Sequence, residues 1–238
     1  NFYLLSTLTI KNAGIKAFNN LQFEGVKYYF TTLDLSYNEI TELQKNQFEQ
    51  ITNIEKIDLS HNMIELIDGD AFSINNERLE LTIDLSFNQI KTFNREWFLE
   101  SRFDHRINVN FSFNKISDIV CKETIEQDLL KHLDLSHNQI LKSENFYECM
   151  IRMTNLESLD LSFNNNLGTE PHLKLETFAE LRKLQKLSLA GNNFSSIPFG
   201  LLSFKKNLVY LDLSSNNLHI SESSLSSLTT LRNLNQLD

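Results

Sequence analysis

One octapeptide recurs through this chain at a nearly constant interval, and that interval restricts the fold more than any other feature. "LDLSYNEI" at 33–40 is followed by "IDLSHNMI" at 57–64, "IDLSFNQI" at 83–90 and "VNFSFNKI" at 109–116. "LDLSHNQI" at 133–140, "LDLSFNNN" at 159–166, "LSLAGNNF" at 187–194 and "LDLSSNNL" at 211–218 complete the series. Aligned on the Asn after the apolar triplet, the copies fall at Asn38, Asn62, Asn88, Asn114, Asn138, Asn164, Asn192 and Asn216. The gaps are 24, 26, 26, 24, 26, 28 and 24 residues. A weaker copy, "LLSTLTIKNAGI", lies upstream with Ala13 in the Asn place. Self-similarity at such a period signals a stack of equivalent coils.

Within each copy the apolar residues alternate, so they share one face of a short strand. About 18 residues remain to bring the chain back to the same edge, enough for a parallel crossover, which needs a dozen or more. Successive strands are therefore predicted to lie side by side in one parallel sheet, each burying its Leu row on its neighbours. The recurrent Asn sits where the chain leaves the strand, and its amide can pair with backbone groups that the turn leaves unsatisfied. The eight Asn residues are thus read as structural.

The pattern LxxLxLxxNxL, filled for example by Leu208, Leu211, Leu213, Asn216 and Leu218, resembles the leucine-rich repeat family along essentially the whole chain. The resemblance implies an α/β solenoid. A curved parallel β-sheet lies on its concave side, with irregular, 3-10 or short helical segments on the convex side. It also implies that the Asn residues form a ladder, one per coil. A second marker lies ten residues past the ladder place, at Phe23, Phe48, Phe72 and Phe98, with Leu202 in a later coil. Phe146 comes two residues early and Phe178 four late. This is read as a Phe row packed inside the convex side. Repeats of this length with this Phe resemble the class found in extracellular receptors and matrix proteins, including Toll-like and chaoptin-like chains.

Composition matters where it excludes. A net charge of −9 argues against a nucleic-acid partner, which ordinarily meets a basic stripe. Lys205 and Lys206, or Arg182 with Lys183 and Lys186, read as solvated surface. No apolar run reaches the length of a membrane span. With only 6 Gly and 2 Pro there is no linker to divide the chain, so residues 1–238 are read as one domain of about nine repeats. Both ends break into a repeat, which is the expectation for a fragment. The six His residues show no metal-ligand spacing, and no catalytic constellation is found, so neither metal nor cofactor nor enzymatic activity is expected.

Two lines of residues remain for the exposed face. The position between the two apolar residues holds Asp34, Asp58, Asp84, Asn110, Asp134, Asp160, Ser188 and Asp212. These form an acidic row, read either as consensus residues that aid solubility or as a surface for a cationic partner. The position before the ladder Asn holds Tyr37, His61, Phe87, Phe113, His137 and Phe163, then Gly191 and Ser215. Exposed contiguous aromatics mark interfaces, whereas rings folded over the strand edge would simply pack on one another; both readings stand. The expected function is non-catalytic binding of a protein ligand or co-receptor by a receptor or cell-surface ectodomain. The alternatives are a structural or adhesion protein and a cytoplasmic scaffold.

Four local features carry expectations of their own. Glu80 and Arg106 occupy the first Leu place in adjacent repeats, so their strands are predicted to begin one place later. The segment 165–178 contains Gly168 and Pro171 and is predicted to bulge from the coil. Cys121 and Cys149 fall seven and eleven residues after their ladder Asn, offsets that favour two unpaired thiols. Asn110 and Asn193 begin "NFS" glycosylation sequons. With 28 Asn in the chain, about four such acceptors arise by chance, so their number supports nothing.

Overall fold

The computed structural model describes residues 5–17, 31–49, 51, 53–74, 79–98, 106–121, 129–165, 167–169, 173–197, 207–219, 221, 228–229 and 231–238. Phe23, Pro171, Leu202, Lys205 and Lys206 lie outside them. In chain order the strands are β1 (Thr7–Thr9), β2 (Thr32–Asp34), β3 (Glu42–Leu43), β4 (Lys56–Asp58), β5 (Leu66–Ile67), β6 (Glu80–Asp84) and β7 (Thr92–Asn94). They continue with β8 (Arg106–Asn110), β9 (Asp118–Val120), β10 (Leu130–Asp134), β11 (Ser158–Asp160), β12 (Lys186–Ser188), β13 (Tyr210–Asp212) and β14 (Gln236–Leu237). One short α-helix, α1 (Glu144–Arg152), and two 3-10 helices, at Arg95–Phe98 and Leu175–Glu180, complete the described elements.

Ten strands form a single parallel sheet in the order β1-β2-β4-β6-β8-β10-β11-β12-β13-β14. Register is held by the next-to-last residue of each strand from β2 to β13 in this sheet. Leu33 faces Ile57, Ile57 faces Ile83, Ile83 faces Val109, and the line continues through Leu133, Leu159, Leu187 and Leu211. All of these side chains are buried. A slip of one residue would turn this row outward and bring the Asp row into the core, so the apolar alternation fixes the register. The crossovers build the convex side, where β3 pairs with β5 and β7 with β9. Phe48, Phe72 and Phe98 stack inside it with ring centroids 5.4 Å apart. Phe146 and Phe178 carry the apolar filling into later coils, with centroids 6.2 Å apart.

Two local expectations are corrected, and a third falls partly outside the described residues. The strands β6 and β8 begin at Glu80 and Arg106 themselves, which pair in register, so they start earlier than their neighbours rather than later. Both side chains are exposed, and Glu80 accepts a hydrogen bond from Asn108 Nδ2 at 2.6 Å. An exposed side of a strand tolerates polar residues, so the missing Leu did not shorten the pairing.

Of the segment 165–178, residues 166 and 170–172 lie outside the described residues, and its described start is tied to the coil. Leu167 is fully buried, and the Gly168 N–H donates to Asn192 O at 2.8 Å. A Cβ on Gly168 would lie 2.3 Å from Phe194 N, so this glycine lets the two coils meet backbone to backbone. The Lys142 ammonium further holds the segment through Leu167 O at 3.2 Å and through Thr169 O.

The second correction is covalent. Cys121 and Cys149 form a disulfide with Cα atoms 5.5 Å apart. Their unequal offsets conceal equal reach. Cys121 follows extended backbone that includes β9, whereas Cys149 lies inside α1. Seven extended residues advance roughly 23 Å. Five extended residues and six helical ones advance roughly 25 Å. The helix forms there because the Ser143 side chain accepts from Phe146 N–H at 3.2 Å, with Glu144 in the first turn and Arg152 in the last. Its buried residues Phe146, Tyr147, Cys149 and Met150 recur at helical spacing.

Candidate functional site

Past each strand the chain turns through a residue in the left-handed region. These residues are the sequence-predicted rings: Tyr37 (φ 57°), His61 (54°), Phe87 (55°), Phe113 (55°), His137 (53°) and Phe163 (54°). Their backbone N–H groups continue the parallel ladder. Phe87 donates to Ser112 O at 3.0 Å and Phe163 to Ala190 O at 2.7 Å. Because the turn repeats identically, the six side chains leave the backbone in the same direction, one coil apart.

The rings stack face to face in one column. Centroid separations run 4.2 Å from Tyr37 to His61, 4.2 Å to Phe87, 4.3 Å to Phe113, 4.0 Å to His137 and 4.5 Å to Phe163. Interplanar angles stay between 7° and 11°. The column packs the rings on one another yet keeps part of their surface in solvent. Ring faces cover one another, while Tyr37, Phe87, Phe113 and Phe163 stay 49, 42, 42 and 39% exposed. What reaches solvent is a strip of ring edges. It ends at Gly191 (φ 62°), where a Cβ would lie 2.4 Å from the Phe163 ring.

The acidic row runs beside this column, in register from Asp34 through Asp58, Asp84, Asn110, Asp134 and Asp160 to Ser188 and Asp212. Each of these carboxylates closes a local turn. Asp34 Oδ1 accepts from the N–H of Ser36 at 3.1 Å, Asp58 from Ser60 at 3.1 Å and Asp84 from Ser86 at 3.0 Å. Asp134 accepts from Ser136 and Asp160 from Ser162, both at 2.8 Å. Asn110 does the same for Ser112 at 2.9 Å, which is why an amide can replace a carboxylate there.

Charge is not even along the row. Asp34 pairs with Lys11 at 2.8 Å and Asp58 with Lys56 at 3.4 Å. Burial raises the Asp34 carboxyl, but hydrogen bonds from Lys11 and Ser36 outweigh it and hold the group below the usual range. Burial pushes the Asp160 carboxyl up, and the like charges of Asp134 and Asp212 push the same way. A shallow depression of about 300 Å³ lies here, lined by Asn108, Asn110, His132, Asp134, Ser158 and Asp160 among others. Burial, followed by the Lys131 charge, pushes His132 down. Reading the row as outward charge missed its turn-closing oxygens; the Ser two residues after each Asp was the available signal.

Under the turn lies the ladder. Asn62 Nδ2 donates to Leu35 O and Leu59 O at 3.0 Å, and its Oδ1 accepts from Ile40 N–H at 3.0 Å. Asn88, Asn114, Asn138 and Asn164 repeat both halves, bonding one coil to the next. Asn38, Asn192 and Asn216 do likewise toward Ile10 O, Leu161 O and Leu189 O. Among the described residues no group of three His, Cys, Asp or Glu is placed to hold a metal ion. Nor is any described helix long and apolar enough to cross a membrane.

Sequence profiles described as leucine rich repeat match residues 4–64 and 29–77, 129–142 and 152–170, and 183–204 and 207–231. The chain belongs to the leucine-rich repeat family. Among curated leucine-rich repeat relatives, Tsukushi of Gallus gallus is 26% identical over 219 residues, covering 88% of this chain and 47% of its own. Toll-like receptor 9 of Sus scrofa is 40% identical over 224 residues, covering 89% of this chain and 21% of its own. This leucine-rich repeat chain therefore spans less than half the length of these relatives. Of solved structures, the LRIM1/APL1C complex matches with a TM-score of 0.63 at 16% identity, over 99% of this chain and 48% of that one. The TLR13–ssRNA13 complex matches with a TM-score of 0.57 at 19% identity, over 96% of this chain and 38% of that one. Likeness at such identity shows the fold.

Proposed function

We propose that this leucine-rich repeat region is a non-catalytic recognition surface of a secreted or cell-surface protein, and that its ligand or co-receptor is another protein. The observation that carries the reading is the ring column. Six stacked rings offer a rigid strip of exposed apolar edges, already ordered before any partner arrives. Binding to it costs little side-chain entropy. The acidic row alongside supplies polar and charged groups for the rim. The likeness to a Toll-like receptor and to one two-chain complex supports a protein partner. The Cys121–Cys149 disulfide supports an oxidising compartment over a cytoplasmic one.

Single-stranded RNA appears with one structural neighbour, but phosphates would meet Asp84, Asp134 and Asp160 on this concave face, and the chain carries −9 overall. A protein ligand is therefore preferred. A photo-crosslinking phenylalanine analogue at Phe113 would preserve the stack and sample the strip. The expected outcome is capture of one protein species at the cell surface, weakened by Phe87→Ala. Capture from a convex position such as Glu49 but none from Phe113 would overturn the reading.

A further inference from the structure

The two sequons occupy very different places in the fold. Asn110 closes strand β8, with Asp84 and Asp134 as its register partners on either side. Its Oδ1 is committed to Ser112 N–H at 2.9 Å. Phe111 is fully buried and Ser112 nearly so, at 6% exposure. Once the sheet forms, the hydroxyl that the sequon requires is buried, and the half-buried Asn110 amide sits in a strand between two register neighbours.

Asn193 lies one residue past the ladder Asn192, outside the sheet. It and Ser195 are exposed, while Phe194 between them anchors the turn in the core. Asn193 adopts φ 61°, a left-handed conformation that Asn tolerates well, and Gly168 braces its backbone from the preceding coil. Its Nδ2 donates to Asn165 O at 2.9 Å. A primary amide has two N–H groups, so this bond uses one and leaves the other facing solvent. Asn165 and Asn217 hold the equivalent place in adjacent coils, but neither has Ser or Thr two residues on.

We infer that Asn193 is an acceptor for an N-linked glycan and that Asn110 is not. The inference rests on the reading above that the chain enters the secretory route. In the transfer, Asn193 Nδ2 forms a bond to the anomeric carbon of an oligosaccharide carried on a polyprenyl pyrophosphate. The sugar–oxygen bond breaks, the lipid pyrophosphate leaves with the electron pair, and one amide proton passes to base. The remaining N–H keeps its bond to Asn165 O. The sugar then rises from the coil where Gly191 ends the ring column, leaving the rings from Tyr37 to Phe163 clear.

The test is secretion of the full-length protein from animal cells behind a supplied signal peptide. Enzymatic glycan release in heavy-oxygen water then marks each occupied Asn as labelled Asp in peptide mass spectra. The expected result is label at Asn193 and not at Asn110. Ser195→Ala should remove that label and the matching step in gel mobility, and Asn110→Gln should change neither. Secretion itself reports that each variant folds. A bare Asn193, or comparable label at Asn110, overturns the inference. Label at Asn193 in the directed protein but not in the protein from its own tissue upholds the acceptor geometry and counts against the proposed localisation instead.

Discussion

A left-handed backbone costs a non-glycine residue about 1–2 kcal/mol, yet six consecutive coils place a ring at that turn. The cost is offset by stacking, worth about 0.5–1.5 kcal/mol for each ring pair, and every interior ring makes two pairs. Phe113→Ala keeps the backbone cost and loses both pairs, and should destabilise the chain by about 1–3 kcal/mol. Phe113→Gly loses the same pairs but relieves the turn, and should be about 1 kcal/mol less damaging in denaturant melts. A larger loss for Gly than for Ala would show that the turn is not held by the rings.

The acidic row allows a second test at this scale. Asp160 binds its proton more tightly when folded, so it favours the fold below the ordinary carboxylate value of 3.8. That contribution is lost as pH rises through its raised folded value. Asp160→Asn keeps an oxygen toward Ser162, as Asn110 keeps one toward Ser112. It should raise the melting temperature at pH 7 and leave it unchanged at pH 3. Asp34, held low, has the opposite sign: its contribution is present at neutral pH and lost as pH falls through its folded value. Asp34→Asn should therefore lower the melting temperature at pH 7, with the deficit shrinking in acid.

Between coils the connecting elements are the ladder and the disulfide. Asn138 donates to Phe111 O, Leu135 O and Ser136 O and accepts from Ile116 N–H, so Asn138→Leu leaves several buried backbone groups without partners. A loss of about 3 kcal/mol is expected. Gln139→Leu, at the neighbouring exposed position, should cost a few tenths at most; equal denaturation midpoints would remove the ladder assignment. Reduction of Cys121–Cys149 reopens a loop of 28 residues and should cost roughly 3.5 kcal/mol, read as a midpoint difference with and without reductant. The two elements differed in how visible they were beforehand. Asn138 recurs at a fixed count from its strand, and a count is what a sequence displays. Cys121 and Cys149 are matched in distance but not in count, because α1 compresses the backbone of one coil and β9 extends the other. For the same reason the burial of Leu167 and the close approach at Gly168 were hidden: both depend on where the next coil lies.

For the molecule as a whole, the period makes the parallel sheet, the buried Leu rows and the two surface lines legible in the sequence. Each follows from one residue choice repeated at one place in every coil. The state of the rings was not legible, because stacking or splaying depends on the turn's φ, which no single copy of the motif reveals. The column adds one ring wherever the residue before the ladder Asn is aromatic, and it stops at Gly191 for want of a side chain. Its length is thus set by independent single-residue choices, without any change in the number of coils. Related chains could lengthen or shorten a partner's footprint in steps of one strand spacing, about 4.8 Å, as a ruler is marked, while the scaffold beneath stays the same.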